Sequence, residues 1–259
     1  MKIESSAIIE AIRGTRDISL PHFGNIAVRE YKSGWASDAV TEIDRQVEDR
    51  LKVELAKIMP EVFFVGEEFG GDRDSEIFWL VDPIDGTGHY IRGIPFCTTM
   101  VALIKDKQVV FSAIYDFVND VMYHAELGRG AYRDGEKISV SEQPLRGAYL
   151  SFEIKPHKEE SRKLLAEVRN RALIIHTLSA GFEFVLVATG RIEGRLTYDA
   201  FGSDYDYAPG SLLVSEAGGV VRNFLRDDYD YTNPDFVASN PQVYEELVRS
   251  ENGIEKLMR

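Results

Sequence analysis

The chain is short of cysteine, short of basic residues relative to acidic ones, and without long apolar runs. Cys97 is its only cysteine, so an internal disulfide and a cysteine-based zinc site are both excluded, and a reducing, cytoplasmic setting is expected. The five histidines, His22, His89, His124, His157 and His176, show no metal-ligand spacing. With 30 Lys and Arg against 43 Asp and Glu, the formal charge is −13, and a broad surface for a nucleic-acid backbone is not expected. The longest apolar stretches, near Met100 to Ile104 and Phe184 to Ala188, have the length of a strand or a core helix, so no membrane span is expected. The opening residues soon meet Glu10 and Arg13, which leaves no apolar stretch for a signal peptide. A Gly-x-Ser-x-Gly elbow and a Gly-x-x-x-x-Gly-Lys phosphate loop are missing, and the start of a dinucleotide fingerprint at Gly128-Arg129-Gly130 fails because position 133 is Arg.

What is there is a body of 259 residues, 44% hydrophobic, enough for one domain with a sizeable core. Val40, Ile43, Val47, Leu51, Leu55 and Ile58 recur at helical steps, with Asp38 expected as N-cap and Pro60 as the stop. Short β-type runs follow at 62–65, 77–81, 98–104, 109–115 and 121–124, and Asp134-Gly135 reads as a hairpin turn. Beyond a soft boundary near 140–147, strands expected at 148–152, 172–177, 195–198 and 220–224 alternate with helices near 159–169, 181–189, 207–217 and 242–249. This alternation argues for a layered α/β or α+β architecture.

The richest stretch is Phe78-Trp79-Leu80-Val81-Asp82-Pro83-Ile84-Asp85-Gly86-Thr87. An apolar strand delivers Asp82, Pro83 stiffens the exit, and Asp85-Gly86-Thr87 opens a short helix. Two carboxylates with the Ile84 carbonyl between them are a compact set of hard oxygen ligands suited to Mg²⁺. The N–H groups of Gly86 and Thr87 are placed to receive a phosphate oxygen. Gly66-Glu67-Glu68 follows another apolar run, and Asp206 heads an apolar segment that closes in Glu216-Ala217-Gly218-Gly219.

Together these segments resemble the inositol monophosphatase family, part of a superfamily of lithium-sensitive, Mg²⁺-dependent sugar phosphatases that includes fructose-1,6-bisphosphatases. The resemblance implies a layered αβαβα sandwich in a single domain, with metal ligands mostly in the first lobe and substrate contacts in the second. It assigns Glu67, Asp82 and the Ile84 carbonyl to a first Mg²⁺, and Asp82, Asp85 and Asp206 to a second, with Glu67 also assisting a weaker third ion. Asp44 matches the carboxylate that pairs with the Thr87 hydroxyl to orient and deprotonate the attacking water. Asp199, Ser179 and Ala180 match substrate contacts, and Lys32 falls in the loop that closes over the metals in relatives. A small phosphate ester of a polyol or sugar, inositol-1-phosphate or fructose-1,6-bisphosphate, is the implied substrate, hydrolysed by in-line attack of a metal-activated water. A homodimer is implied as well. Histidinol-phosphate and 3′,5′-bisphosphonucleoside phosphatases share these motifs and stay open as alternatives, as does a metal-binding regulatory protein of the same fold. Gly88-His89-Tyr90, Tyr205 and Pro209 depart from the family pattern and bear on the substrate and on loop geometry. A phosphatase working through an aspartyl-phosphate is disfavoured, because its two Asp stand two apart and the residue two before Asp85 is Pro83.

Overall fold

Strand Ile77–Asp85 is buried almost along its whole length, which requires cover on both faces of its sheet. A computed structural model of the chain describes residues 3–25, 30–31, 39–177 and 179–258. Helices α1 (Ser5–Arg13) and α2 (Arg16–Ser19), paired strands β1 (Glu30–Tyr31) and β2 (Ala39–Val40), and the long helix α3 (Glu42–Ile58) come first. They are followed by β3 (Phe63–Gly66), β4 (Ile77–Asp85), a short α4 (Thr87–Arg92), β5 (Thr98–Lys105), β6 (Gln108–Asp116), β7 (Val121–Glu126), β8 (Gly130–Arg133) and β9 (Glu136–Lys137). Strands β3 to β9 form a seven-stranded sheet in chain order, in which β3 and β4 are parallel and the remaining pairs antiparallel.

The second half contains β10 (Tyr149–Ile154), α5 (Glu159–Arg171), β11 (Leu173–Ile175), α6 (Ala180–Ala188), β12 (Gly194–Tyr198), α7 (Asp204–Glu216), β13 (Val220–Asn223), β14 (Phe236–Ser239) and α8 (Pro241–Val243). Its five-stranded sheet has the order β11-β10-β12-β14-β13.

Side-chain alternation along the strands assigns the layers. Trp79 and Val81 pack with Ile8, Ile12, Val47 and Leu51, so α1 and α3 cover the outer face of the large sheet. Phe78, Leu80, Met100 and Ala102 face the other way, toward Phe184 of α6 and Leu213 of α7, which fill the space between the sheets. On the far side, Leu150 and Phe152 of β10 pack with Leu164 and Val168 of α5 and Leu247. The order of layers is therefore αβαβα, as the resemblance implies. Residues Tyr207 to Val214 of α7 are all buried, as befits a helix enclosed by two sheets.

Three local expectations change. Helix α3 is capped by Thr41, while Asp38 lies outside the described residues and Val40 belongs to β2. Strand β14 has no counterpart in the sequence reading: its four residues are all buried and show no alternation. The expected helix near 242–249 is α8 continued by a π-helical turn over Tyr244–Arg249. The Asp134-Gly135 hairpin is present, with φ of 48° and 86° at its two central residues.

Gly210 marks where α7 meets α6, because a Cβ there would stand 2.0 Å from ring atoms of Phe184. Gly210→Ala is expected to destabilise the fold by about 1–3 kcal/mol through overpacking. Denaturant unfolding checks this, and an unchanged midpoint would contradict the packing assigned to α7.

Candidate active site

Asp82 pairs with Met100 across the β4–β5 ladder and Asp85 pairs with Thr98, so β4 holds one residue more than its partner in this interval. Residues three apart on a regular strand point to opposite faces; the extra residue of a β-bulge brings both aspartates to the same one. Pro83 is tolerated here because the bulge asks no ladder hydrogen bond of it, and its carbonyl accepts from the Thr99 hydroxyl at 2.9 Å. The strand thus continues through Asp82 instead of ending there.

Asp85 is received by the start of α6. Its carboxylate accepts from the Ser179 hydroxyl at 2.6 Å, from the N–H groups of Ala180 and Gly181 at 3.0 and 2.9 Å, and from the Thr98 hydroxyl at 3.1 Å. Gly181 is needed for space, since a Cβ there would lie 2.2 Å from Thr98 Oγ1 and 3.0 Å from Asp85 Oδ2. Asp206 arrives from the first turn of α7, where its Oδ2 accepts from Ser203 N–H at 2.6 Å. Asp82, Asp85 and Asp206 each present an oxygen within 4.8 Å of the others. Glu67, in the turn after β3, raises the proton affinity of Asp82 by its charge and by a hydrogen bond, and that of Asp206 by its charge.

Burial, first, and then repulsion from Glu67 and other nearby carboxylates push Asp82 and Asp206 well above the ordinary carboxylate range. Burial also raises Asp85, opposed by its four donors. Asp82 Oδ1 is buried and has no hydrogen-bond partner among the described residues. A buried acceptor with no donor, beside two more carboxylates, fits a hard divalent cation bound through oxygen. The Ile84 carbonyl, next to these groups in the chain, accepts from the Thr87 hydroxyl at 2.9 Å and keeps a second lone pair.

Asp44 divides its two oxygens. Oδ2 accepts from Thr41 N–H at 2.8 Å and from the Thr41 hydroxyl at 2.5 Å, closing a capping box at the head of α3. Oδ1 faces Thr87 Oγ1 at 3.1 Å. Burial pushes Asp44 up to about 7, against the Thr41 hydrogen bonds and with added repulsion from Glu67 and Glu68. Gly86 stands before Thr87 in the left-handed region, with φ of 80°, and a Cβ there would press on the Phe96 carbonyl at 2.6 Å. Gly86 and Thr87 N–H groups therefore head α4 beside Asp85.

The remaining candidates fall as follows. Ser179 and Ala180 contact Asp85 directly, which the sequence reading had placed against substrate. Asp199 lies at the end of β12 with its carboxylate near Lys158 Nζ (3.2 Å) and His157 Nε2 (3.6 Å). Lys32 lies outside the described residues. Half-buried His89 packs edge-on to Phe96, 6.2 Å between centroids, and burial lowers its pKa. Glu216 serves the scaffold, accepting from Gly128 and Gly130 N–H in the β7–β8 turn.

Several residues around the site were not singled out from sequence. Glu48 of α3, fully buried, accepts from Glu68 and Phe69 N–H at 2.8 and 2.9 Å and so shapes the turn that carries Glu67. A Cβ on Gly66 would fall on that carboxylate. Arg73 makes a two-pronged bond to Asp204, tying the segment after Glu68 to the head of α7. The Thr41-x-x-Asp44 spacing is the one such signal readable from sequence, as a capping box; the others are long-range contacts.

The model of the inositol monophosphatase family matches residues 4–254. A curated fructose-1,6-bisphosphatase/inositol-1-monophosphatase of Thermotoga maritima is 29% identical over 255 residues, 95% of this chain and 94% of that protein. Inositol monophosphatase 1 of Bos taurus is 29% identical over 236 residues, 86% of this chain and 84% of its own. Among solved structures, an IMPase of Thermotoga maritima superposes with a TM-score of 0.82 at 26% identity, covering 96% of this chain and 94% of that one. The extragenic suppressor protein suhB of Bartonella henselae gives 0.85 at 26% identity, with 98% of both chains covered.

Thr41→Val removes the hydroxyl that caps α3 and holds Asp44, and is expected to lower unfolding stability by about 1 kcal/mol. Thr41→Ser should retain most of it. Equal stability of wild type and Thr41→Val in denaturant unfolding would contradict the capping role.

Proposed function

This chain belongs to the inositol monophosphatase family, and on that premise we propose that it is a Mg²⁺-dependent phosphatase acting on the phosphate monoester of a polyol or sugar, inositol-1-phosphate or fructose-1,6-bisphosphate. The observation that carries the reading is the convergence of Asp82, Asp85 and Asp206 within 4.8 Å beside the Asp44–Thr87 pair. The relatives of Thermotoga maritima and Bos taurus bear the names of such phosphatases, and the acidic trio supports the metal.

In this reading Asp82, Asp85 and Asp206, with Glu67 and the Ile84 carbonyl, hold two or three Mg²⁺ ions. Bound Mg²⁺ neutralises phosphate charge, favours ionisation of the attacking water and stabilises the departing alkoxide. The chain's own groups do the rest. Thr87 Oγ1 orients the water, and Asp44 Oδ1, 3.1 Å from that hydroxyl, takes up its proton. Gly86 and Thr87 N–H groups hold a phosphate oxygen in line with the water. Asp85 is kept from turning away by Ser179, Ala180, Gly181 and Thr98, so the ligand geometry is set before substrate enters. Asp199, at the end of β12 in the second lobe, stands as its contact to the alcohol.

The test is phosphate release from inositol-1-phosphate and fructose-1,6-bisphosphate with and without Mg²⁺. Release is expected to require the metal, and Asp44→Asn is expected to lower kcat by about 10²–10⁴. No release from either substrate, with Asp85→Asn indistinguishable from wild type, would overturn the proposal.

A further inference from the structure

Arg195 is only 1% exposed, although a buried guanidinium is costly unless its partners are well placed. It lies on β12 opposite Ser151 of β10, and both side chains leave the five-stranded sheet toward α6 and α7. Its guanidinium carbon stands 5.1 Å from the Phe184 ring and 5.7 Å from the Tyr207 ring. Nη1 meets Glu183 and Nη2 meets Glu153 Oε2 at 2.5 Å. One cation thus joins two carboxylates from different elements.

Each carboxylate uses its other oxygen on a segment that reaches the acidic trio. Glu153 Oε1 accepts from Phe201 N–H at 2.7 Å, Gly202 N–H at 3.0 Å and the Tyr207 hydroxyl at 2.9 Å. This fixes the approach to α7 around Asp206: a Cβ on Gly202 would lie 2.8 Å from Asp206 Oδ2 and 2.5 Å from the Tyr207 oxygen. Glu183 Oε1 accepts from Thr177 N–H at 3.0 Å and lies 3.2 Å from the Thr177 hydroxyl, while its Oε2 accepts from Ser151. The Thr177 hydroxyl is also within 3.1 Å of the Ser179 carbonyl, and Ser179 donates to Asp85. From Arg195, one path of hydrogen bonds runs through Thr177 and Ser179 to Asp85, and the other ends at Gly202 and Tyr207, the latter next to Asp206 in the chain.

We propose that Arg195 is a positioning residue for the cation site, clamping Glu153 and Glu183 so that the head of α7 and the start of α6 present Asp206 and Asp85 at one point. The inference rests on the phosphatase reading above and deepens it. Arg195 touches none of the trio. Its own positive charge opposes a bound cation, so a purely electrostatic role and a positioning role have opposite consequences when the charge is removed. Removing the guanidinium alone leaves Glu153 and Glu183 without their cation, which is costly for the fold, so unfolding is measured beside metal binding to separate the clamp from a simple contribution to stability.

The experiment is titration calorimetry of the full chain with Mg²⁺ and with Mn²⁺, without substrate, on wild type, Arg195→Lys and Arg195→Met, with denaturant unfolding alongside. Arg195→Lys keeps the charge but loses the fork that reaches two carboxylates. It is expected to bind either metal about 10- to 100-fold more weakly, the usual scale for residues that orient metal ligands. Arg195→Met is expected to weaken binding as well, despite leaving the site more negative. Wild-type affinity in folded Arg195→Lys, or tighter binding in Arg195→Met, would overturn the proposal; should Arg195→Met fail to fold, Arg195→Lys alone decides. A wild type that binds metal but releases no phosphate would contradict the phosphatase reading and leave the clamp standing.

Discussion

Repulsion among buried carboxylates is the constraint on which the rest of this structure depends. Asp82 and Asp85 are 1% and 5% exposed, Asp206 joins them within 4.8 Å, and Glu67 adds its charge to the same place. Left to themselves, such groups would turn apart or hold protons. Donors of the scaffold hold Asp85 and Asp206 in place against this repulsion. Asp85 has four donors around it, and Asp206 is fastened to the N-terminal turn of α7. No donor among the described residues reaches Asp82 Oδ1, the oxygen through which the proposed cation would be held.

The layers supply this rigidity. The bulge at Pro83 turns two aspartates of one strand to the same face. Helix α7, buried between the sheets, brings the third from the other half of the chain. The same local device appears twice. Asp44 in α3 and Asp206 in α7 both occupy the third position of their helix and accept from the N–H of the N-cap residue. A helix start thereby sets the direction of a carboxylate that would otherwise rotate freely. Glu48, under the Glu67 turn, and the clamp around Arg195 act at one remove, holding the backbone from which the site is built.

Much of this was legible in the sequence. Asp82, Asp85, Glu67 and Asp206 stand in short motifs that carry the family resemblance; alternating strands and helices argue for a layered α/β or α+β fold, and the resemblance adds the αβαβα order. The expected cap at Asp38 shows how local reading goes astray: helical periodicity extended through Val40, whereas the Thr41–Asp44 capping box starts the helix two residues later. Strand β14 escaped because four buried residues carry no period to detect. Glu48, Glu153, Glu183 and Arg195 escaped for a different reason. Each is an ordinary charged residue in its own segment, and its meaning comes from a partner 12 to 54 positions away. Ser179 is an intermediate case, singled out through the resemblance as a substrate contact and found donating its hydroxyl to Asp85.

The central claim is that these carboxylates are held in an arrangement whose repulsion a bound cation relieves. Its most direct test is the thermal unfolding midpoint of the wild-type chain in chelator and across a series of Mg²⁺ concentrations, compared with Asp82→Asn. A ligand that binds only the native state raises the midpoint as its concentration rises, so the wild type should climb steadily with Mg²⁺ while Asp82→Asn climbs much less. A wild-type midpoint that is the same in chelator and in saturating Mg²⁺ would contradict the account.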